Sequence, residues 1–495
     1  MITDEDRSEE YIIQNPTEKI VEYIDRYIDR YRLIYNDVNI TEFLIALLYI
    51  KNERSYITNV NNGLKLVSWL RKMRNYFLYT MSFIRLNIIN KKEYELAKNN
   101  DKIWGRGLEE NNSYANKKYI FVQAYEEREK HGFVIIDNLL KGVQGIISKD
   151  EVLLITPYKS NLMKYSEYDV ICLETSKMAL FNEKIPRNYY KELEIEELRV
   201  LSIGFELVEK ANSLFRKMNS ARMLFTAQDF HFYEQAFSKA AKKNGILSIT
   251  HQHGLMDYPH PGIFKYMFSD YIMVWGKNSM ETLEKYIGKE KIKVVGTDKF
   301  NYLPKNLDYE REEVVTVALN FMNEEDLDVY MEKLVKGFKY LKFEQNLSFD
   351  VIFKLHPIMG KLQEWIENII KLKFSKYEIV LDYKIVVGDI AKTLAKSKYL
   401  IATRSTISIE AMICNSSVLE INYPVSSLNR NSLFQKFQES IVSLDNFYFE
   451  LGKRMVDFKY SNEILAKQRT VIKSELESLS LQKEVEFIQS LLNSI

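Results

Sequence analysis

The chain has 495 residues, too many for one ordinary core and suited to two or three domains. Its 46% hydrophobic and 28% charged content is that of a folded protein and excludes a disordered chain. With 69 basic residues against 68 acidic ones the net charge is only +1, so nucleic acid is not an expected partner.

The N-terminus, MITDEDRSEEYIIQ, is acidic and lacks the basic-then-apolar layout of a signal peptide. No uncharged apolar run reaches the roughly eighteen residues of a spanning helix. The two cysteines, Cys172 and Cys414, each sit in an apolar segment, which argues against a disulfide framework and fits a cytoplasmic protein.

Residues 1–118 read as a helical N-terminal region. Segments 17–35 and 41–51 carry apolar positions at three-and-four spacing. Segment 64–90 mixes Trp69, Phe77, Phe83 and Ile84 with Arg71, Lys72, Arg74 and Arg85. It reads either as a packed helix with a basic outer face or as a peripheral contact with the inner face of the cytoplasmic membrane. Residues 91–118, charged and Asn-rich, read as a connection.

From 119 the pattern changes to short β-rich runs separated by helical stretches. Strands are expected at 152–156, 169–173, 222–226 and 246–250, then at 271–275, 292–295, 314–319, 350–354, 378–381, 399–402 and 418–422. Amphipathic helices are expected between them, for instance at 232–244, 278–287, 325–341 and 389–397. Apolar strands alternating with helices imply α/β architecture, with parallel sheets covered on both faces. Two such series predict two doubly wound, Rossmann-like domains, 119–265 and 266–460, followed by C-terminal helices over 461–495. Neither half carries GxGxxG or a P-loop after its first strand, and HExxH and GxSxG are absent.

In doubly wound sheets, ligands bind beyond the carboxyl ends of the strands. Unusual polar residues fall there four times. Asp229 and His231 follow the strand at 222–226, and Asp229 reads either as a helix N-cap or as a catalytic or acceptor-binding carboxylate. The strand at 246–250 runs into His251, Gln252, His253 and Gly254, with His260 close behind. That places three of the six histidines within ten residues and marks the acceptor side of a cleft. No carboxylate pair completes a metal site around them, so no metal is expected.

The strand at 350–354 ends at Lys354 and continues through His356 and Pro357. Proline holds the residue before it in extended geometry, so His356 leaves the strand in a fixed direction. A cation and a rigid imidazole at a strand mouth suit a phosphate-bearing ligand. The strand at 399–402 leads into Thr403, Arg404, Ser405 and Thr406, which open a helix carrying Ser408 and Glu410. Helix N-termini and hydroxyls hold phosphate, Arg404 adds a full charge, and Glu410 can accept from ribose hydroxyls. Ser405 or Thr406 as a simple N-cap is the plainer reading.

The ordered set ITHQHG, VWGKNSMETL, VVGTDKF, KLHP and ATRSTISIEAM resembles the GT-B glycosyltransferases of bacterial capsule, lipopolysaccharide and teichoic acid assembly. That group includes bacterial sialyltransferases, Kdo transferases and CDP-glycerol glycerophosphotransferases. The resemblance spans about residues 220–425. It implies a GT-B fold and a metal-independent, cofactor-free transfer from a nucleotide-sugar to a glycan or lipid-linked glycan. By position it implies that His356 and Lys354 contact the donor phosphate. Ser405, Thr406 and Ser408 would hold the phosphate or ribose, and Glu410 the ribose. Asp229, then His253, are the candidates for the base that activates the acceptor. Where sialyltransferases carry an acidic–acidic–glycine motif, this chain has AQDFHF. The resemblance favours CMP-linked donors, with polyol-phosphate transfer, UDP-sugar 2-epimerisation and a non-catalytic scaffold as alternatives.

Overall fold

Strands buried on both faces, such as YIFV at Tyr119–Val122 and VVTVAL at Val314–Leu319, form the centres of two parallel sheets. The computed structural model describes residues 16–48 (save 46), 114–173 (save 125–129) and 184–494. In the last span it leaves out 187, 190–192, 194, 229–231, 255, 257–260, 305–310, 320–323, 404–405 and 422–439. Segment 64–90, with its membrane-surface reading, therefore lies outside the described residues.

The first sheet has seven strands: β1 (Tyr119–Val122), β2 (Val152–Thr156), β3 (Asp169–Cys172), β4 (Met223–Thr226), β5 (Leu247–His251), β6 (Tyr271–Val274) and β7 (Ile292–Val294). Their order is β3-β2-β1-β4-β5-β6-β7, and every pairing is parallel. The second has six: β8 (Val314–Leu319), β9 (Asp350–Leu355), β10 (Tyr383–Val387), β11 (Tyr399–Ala402), β12 (Ser417–Ile421) and β13 (Ile441–Val442). They run β10-β9-β8-β11-β12-β13, again all parallel. In each sheet the order reverses direction beside the central strand, which opens a crevice at the strands' carboxyl ends.

This corrects the division expected at 265/266. Strands β6 and β7 pair onto β5, so the first sheet runs on to Val294 and the second begins at Val314. Periodicity locates a strand but does not say which sheet it joins. The strand expected at 378–381 lies instead at Tyr383–Val387, after a turn in which Glu378 has φ of 53°.

The N-terminal region also departs from its reading. Helix α1 (Pro16–Arg30) stops short of 35 because Asn36 and Asp37, at φ of 49° and 61°, form the turn of a short hairpin. A 3₁₀ turn at Ile40–Leu44 then sets Phe43 against Gly204 of helix α2 (Ile195–Lys217), where a Cβ would lie 2.3 Å from the ring. Residues 24–48 thus contribute to the first domain's core.

The C-terminus returns to the first domain. Helix α3 (Phe458–Glu475), capped by the Asp457 side chain, packs on the second domain. The chain then crosses back: Glu477 N–H donates to the Trp275 carbonyl at 2.8 Å, and Thr297 N–H to the Ser478 carbonyl at 2.9 Å. A Cβ at Gly276 would lie 2.1 Å from the Glu475 carbonyl oxygen, so the glycine of VWG admits this crossing. Gly296 of VVG, at φ of 81°, meets Ser478 in the same way. Helix α4 (Gln482–Ser494) finally lays Ile488 and Leu491 into the first domain's second core. Both glycine motifs are explained by this crossing.

Candidate functional site

At the mouth of β9, His356 N–H donates to the Leu319 carbonyl at 3.2 Å, carrying the parallel ladder one residue past the strand. Pro357 then opens a 3₁₀ turn, Pro357–Leu362, and Met359 N–H closes it on the His356 carbonyl at 2.8 Å. Lys354 is almost fully buried, and its ammonium donates to the Leu355 carbonyl at 2.9 Å. Burial lowers its pKa, against the pull of Glu410. Burial, and then the neighbouring Lys354, lower that of His356, so the imidazole is neutral at pH 7.

On the far side of β8, β11 leads to Thr406 at the start of helix α5 (Ile407–Ile413), whose residues from Ile407 to Met412 are all buried. The Thr406 carbonyl accepts from the N–H groups of Ile409 and Glu410 at 3.0 and 3.3 Å. Glu410 is 1% exposed, and its Oε1 accepts from the Tyr302 hydroxyl at 2.7 Å. Burial raises the carboxyl pKa, while Tyr302, Lys299 and Lys354 resist that rise. Ser408 faces inward and donates to Glu420 of β12 at 3.3 Å, so it packs the helix on its own sheet. Expected on the donor phosphate, this hydroxyl lies fully buried against Glu420 in the structure.

The first domain contributes the loop after β5. Gly254 approaches Thr406 closely enough that a Cβ would lie 3.8 Å from its Oγ1, so the two expected motifs meet across the cleft. The His253 carbonyl accepts from the ammonium of Lys299. Lys299 is 4% exposed and lies over the rings of Trp275 and Phe300, 5.2 and 5.7 Å from their centroids. Burial pushes its pKa down to about 8, against the attraction of Glu410.

His251 and Gln252, expected on the acceptor side, are spent on the scaffold. His251 Nδ1 lies 2.7 Å from the Gln252 carbonyl and Nε2 lies 2.8 Å from the Glu484 carboxylate of α4. Two acceptors on one ring hold both nitrogens protonated. Burial lowers the His251 pKa, but the charge and hydrogen bond of Glu484 outweigh it and the net shift is upward. Gln252 donates to the Gly254 carbonyl and accepts from Trp275 N–H, each at 2.9 Å, fixing the loop to β6.

The structure therefore brings together Lys354, His356, Thr406 and Glu410 with the His253–Gly254 loop. Asp229, His231, His260, Arg404 and Ser405 lie outside the described residues, as does the side chain of Pro357. Just before the first of these, Glu234 Oε1 accepts from Ala227 and Gln228 N–H at 2.9 and 3.2 Å. Sequence reasoning missed Lys299 and Tyr302. Both lie in or just after VVGTDKF, whose periodicity is that of a strand end and carries no sign that the connection doubles back into the cleft.

Two parallel, Rossmann-like sheets whose strand mouths face one another define the GT-B fold. No family model matches the chain, and no curated protein matches it by sequence. Solved structures do match. One is a Listeria monocytogenes protein assigned as a UDP-N-acetylglucosamine 2-epimerase, with a TM-score of 0.52 at 11% identity over 77% of this chain and 98% of that one. Staphylococcus aureus MnaA, solved with UDP, gives 0.50 at 14% identity over 77% and 98%. The wall teichoic acid polymerase TagF gives 0.41 at 12% identity over 87% and 98%. At these identities the first two likenesses show the fold alone. Among the described residues no helix is long and apolar enough to cross a membrane.

Proposed function

We propose that the protein is a nucleotide-sugar-dependent glycosyltransferase acting in surface glycan assembly, with the nucleotide held by the second domain and the acceptor by the first. The observation that carries this reading is the convergence of Lys354, His356 and Glu410 at the mouths of β9 and β11, the two strands that flank β8, opposite the His253–Gly254 loop. A neutral His356 donates a hydrogen bond to a phosphate oxygen rather than supplying charge, and Lys354 supplies the charge. As the bond to the sugar breaks, negative charge grows on the leaving phosphate, and donors already in place stabilise it without reorganising. Arg404, Ser405 and Thr406 act on the same phosphate, and Glu410 accepts from the ribose. A base on the first domain, Asp229 or His253, takes the acceptor proton as it attacks the anomeric carbon, which inverts the centre. CMP-linked sugars are the donors favoured by the sequence resemblance.

A second reading, epimerisation of a UDP-sugar, is favoured by the Listeria monocytogenes match. One titration separates them: thermal unfolding of the full chain with CMP, CDP, UMP, UDP and GDP. A shift with a cytidine nucleotide supports the transferase. A shift with UDP alone, and product formed from UDP-N-acetylglucosamine without acceptor, would establish the epimerase. No shift with any nucleotide would refute both.

A further inference from the structure

The cleft floor holds an arrangement of charge that nucleotide binding alone does not explain. Lys299 belongs to the connection between the domains, yet its ammonium reaches back to the His253 carbonyl and forward toward Glu410. Glu410 is also the anion that Lys354 faces from β9. Two buried lysines thus flank one buried glutamate, which leaves one positive charge in excess within this cluster. Among the described residues the other groups nearby do not cancel it. Tyr302 donates to Glu410 as a neutral phenol, His356 beside Lys354 is neutral, and His253 offers Lys299 a carbonyl. Asp298, adjacent in sequence, is engaged with Asn138 at 2.8 Å and faces the His251–Glu484 pair.

An uncompensated buried cation is costly unless a ligand supplies the opposite charge. We propose that Lys299 is a positioning residue that ties the His253 loop to Glu410 and makes binding of an anionic nucleotide in the cleft proton-linked. This rests on the cleft being a nucleotide site. The linkage follows from the sign of the interaction: a bound phosphate favours the charged ammonium, so above pH 8 the complex holds a proton that the free protein has lost. Lys299 then recharges as the nucleotide arrives, drawing the His253 loop and Glu410 around the same charge.

The test is calorimetric titration of the full chain with UDP and with CMP at pH 8.5, in two buffers of unlike ionisation enthalpy. At this pH the nucleotide phosphates are fully ionised and His356 is neutral, so neither contributes; Lys354, whose pKa burial also lowers, can take up part of a proton, and comparison with a Lys299 variant separates the two shares. The expected result is uptake of roughly half a proton or more per nucleotide, from a lysine with pKa near 8. In Lys299→Arg, whose charge is permanent, binding should persist and the uptake should fall to whatever share Lys354 supplies. Should that variant not fold, the wild type carries the test: its affinity should fall with rising pH above 8, by up to about tenfold per unit. Binding without proton uptake, a pH-independent affinity, or uptake unchanged in Lys299→Arg would overturn the inference while leaving the nucleotide site standing. Failure of every nucleotide to bind the wild type would instead overturn the nucleotide site, and this inference with it.

Discussion

The strand ends THQHG and KLHP look alike in sequence: each carries polar residues and a histidine where a parallel strand stops. The structure gives them opposite electrostatics. His251 is held charged between a carbonyl and the Glu484 carboxylate, and its pKa rises. His356 is pushed toward neutrality by burial and by Lys354, and its pKa falls. A buried ring locked between two internal acceptors has no capacity left for a ligand. A ring set beside a cation at the open end of a strand is arranged to meet an anion. The first strand end is chiefly a fastening for the C-terminal helix, and the second is the candidate binding site.

The largest expected effect breaks the fastening. Replacing Glu484 by Gln strands a buried imidazolium, and breaking such a pair costs about 3 kcal/mol or more. The sign of its pH dependence is fixed. His251 has a folded pKa above its usual 6.5, so the pair's contribution is complete below that value and fades as pH rises through the folded pKa. Chemical denaturation of wild type and Glu484→Gln across pH 5 to 9 should show a gap that is widest in acid. A gap of constant size would mean that the imidazole is neutral in the fold, and the contrast with His356 would collapse. The nucleotide-induced thermal shift should survive in this variant.

The converse experiment acts on the other strand end. At a nucleotide concentration near one hundred times Kd, binding adds about 2.7 kcal/mol to the wild-type stability. His356→Ala should remove most of this ligand-induced gain while changing the unliganded midpoint little, because the half-buried ring belongs to no apolar core. A retained shift would show that the phosphate is held elsewhere.

Much of this was legible in the sequence, and the misses share a cause. Strands 314–319 and 399–402 were read with their observed limits because buried parallel strands are short apolar runs bounded by polar residues. The allocation of β6 and β7 to the first sheet was not legible, since it depends on pairing rather than on pattern. The roles of His251 and Ser408 turned on partners far along the chain or in the next strand, Glu484 and Glu420. Lys299 and Tyr302 were invisible for the same reason: what makes them notable is Glu410, more than one hundred residues away.

The smallest effect sharpens the comparison from within the candidate site. Tyr302 is 45% exposed, but its hydroxyl reaches the buried Glu410 carboxylate. A hydrogen bond to a charged group contributes about 1.5–3 kcal/mol when sheltered, and the exposure of Tyr302 puts Tyr302→Phe nearer 1 kcal/mol. Burial raises the folded pKa of Glu410, so ionising it works against the fold as pH climbs through that value; Tyr302 offsets part of this by stabilising the anion. The Phe variant should therefore match the wild type in acid, where the carboxyl is protonated, and fall behind it as Glu410 ionises. This is the reverse of the Glu484→Gln profile, in which the gap closes as pH rises. If both variants lost stability with the same pH dependence, the opposed electrostatics of the two regions would be wrong. If the profiles diverge as expected, Tyr302 holds a buried carboxylate ionised at the cleft, and nucleotide affinity should drop with it by severalfold at pH 7.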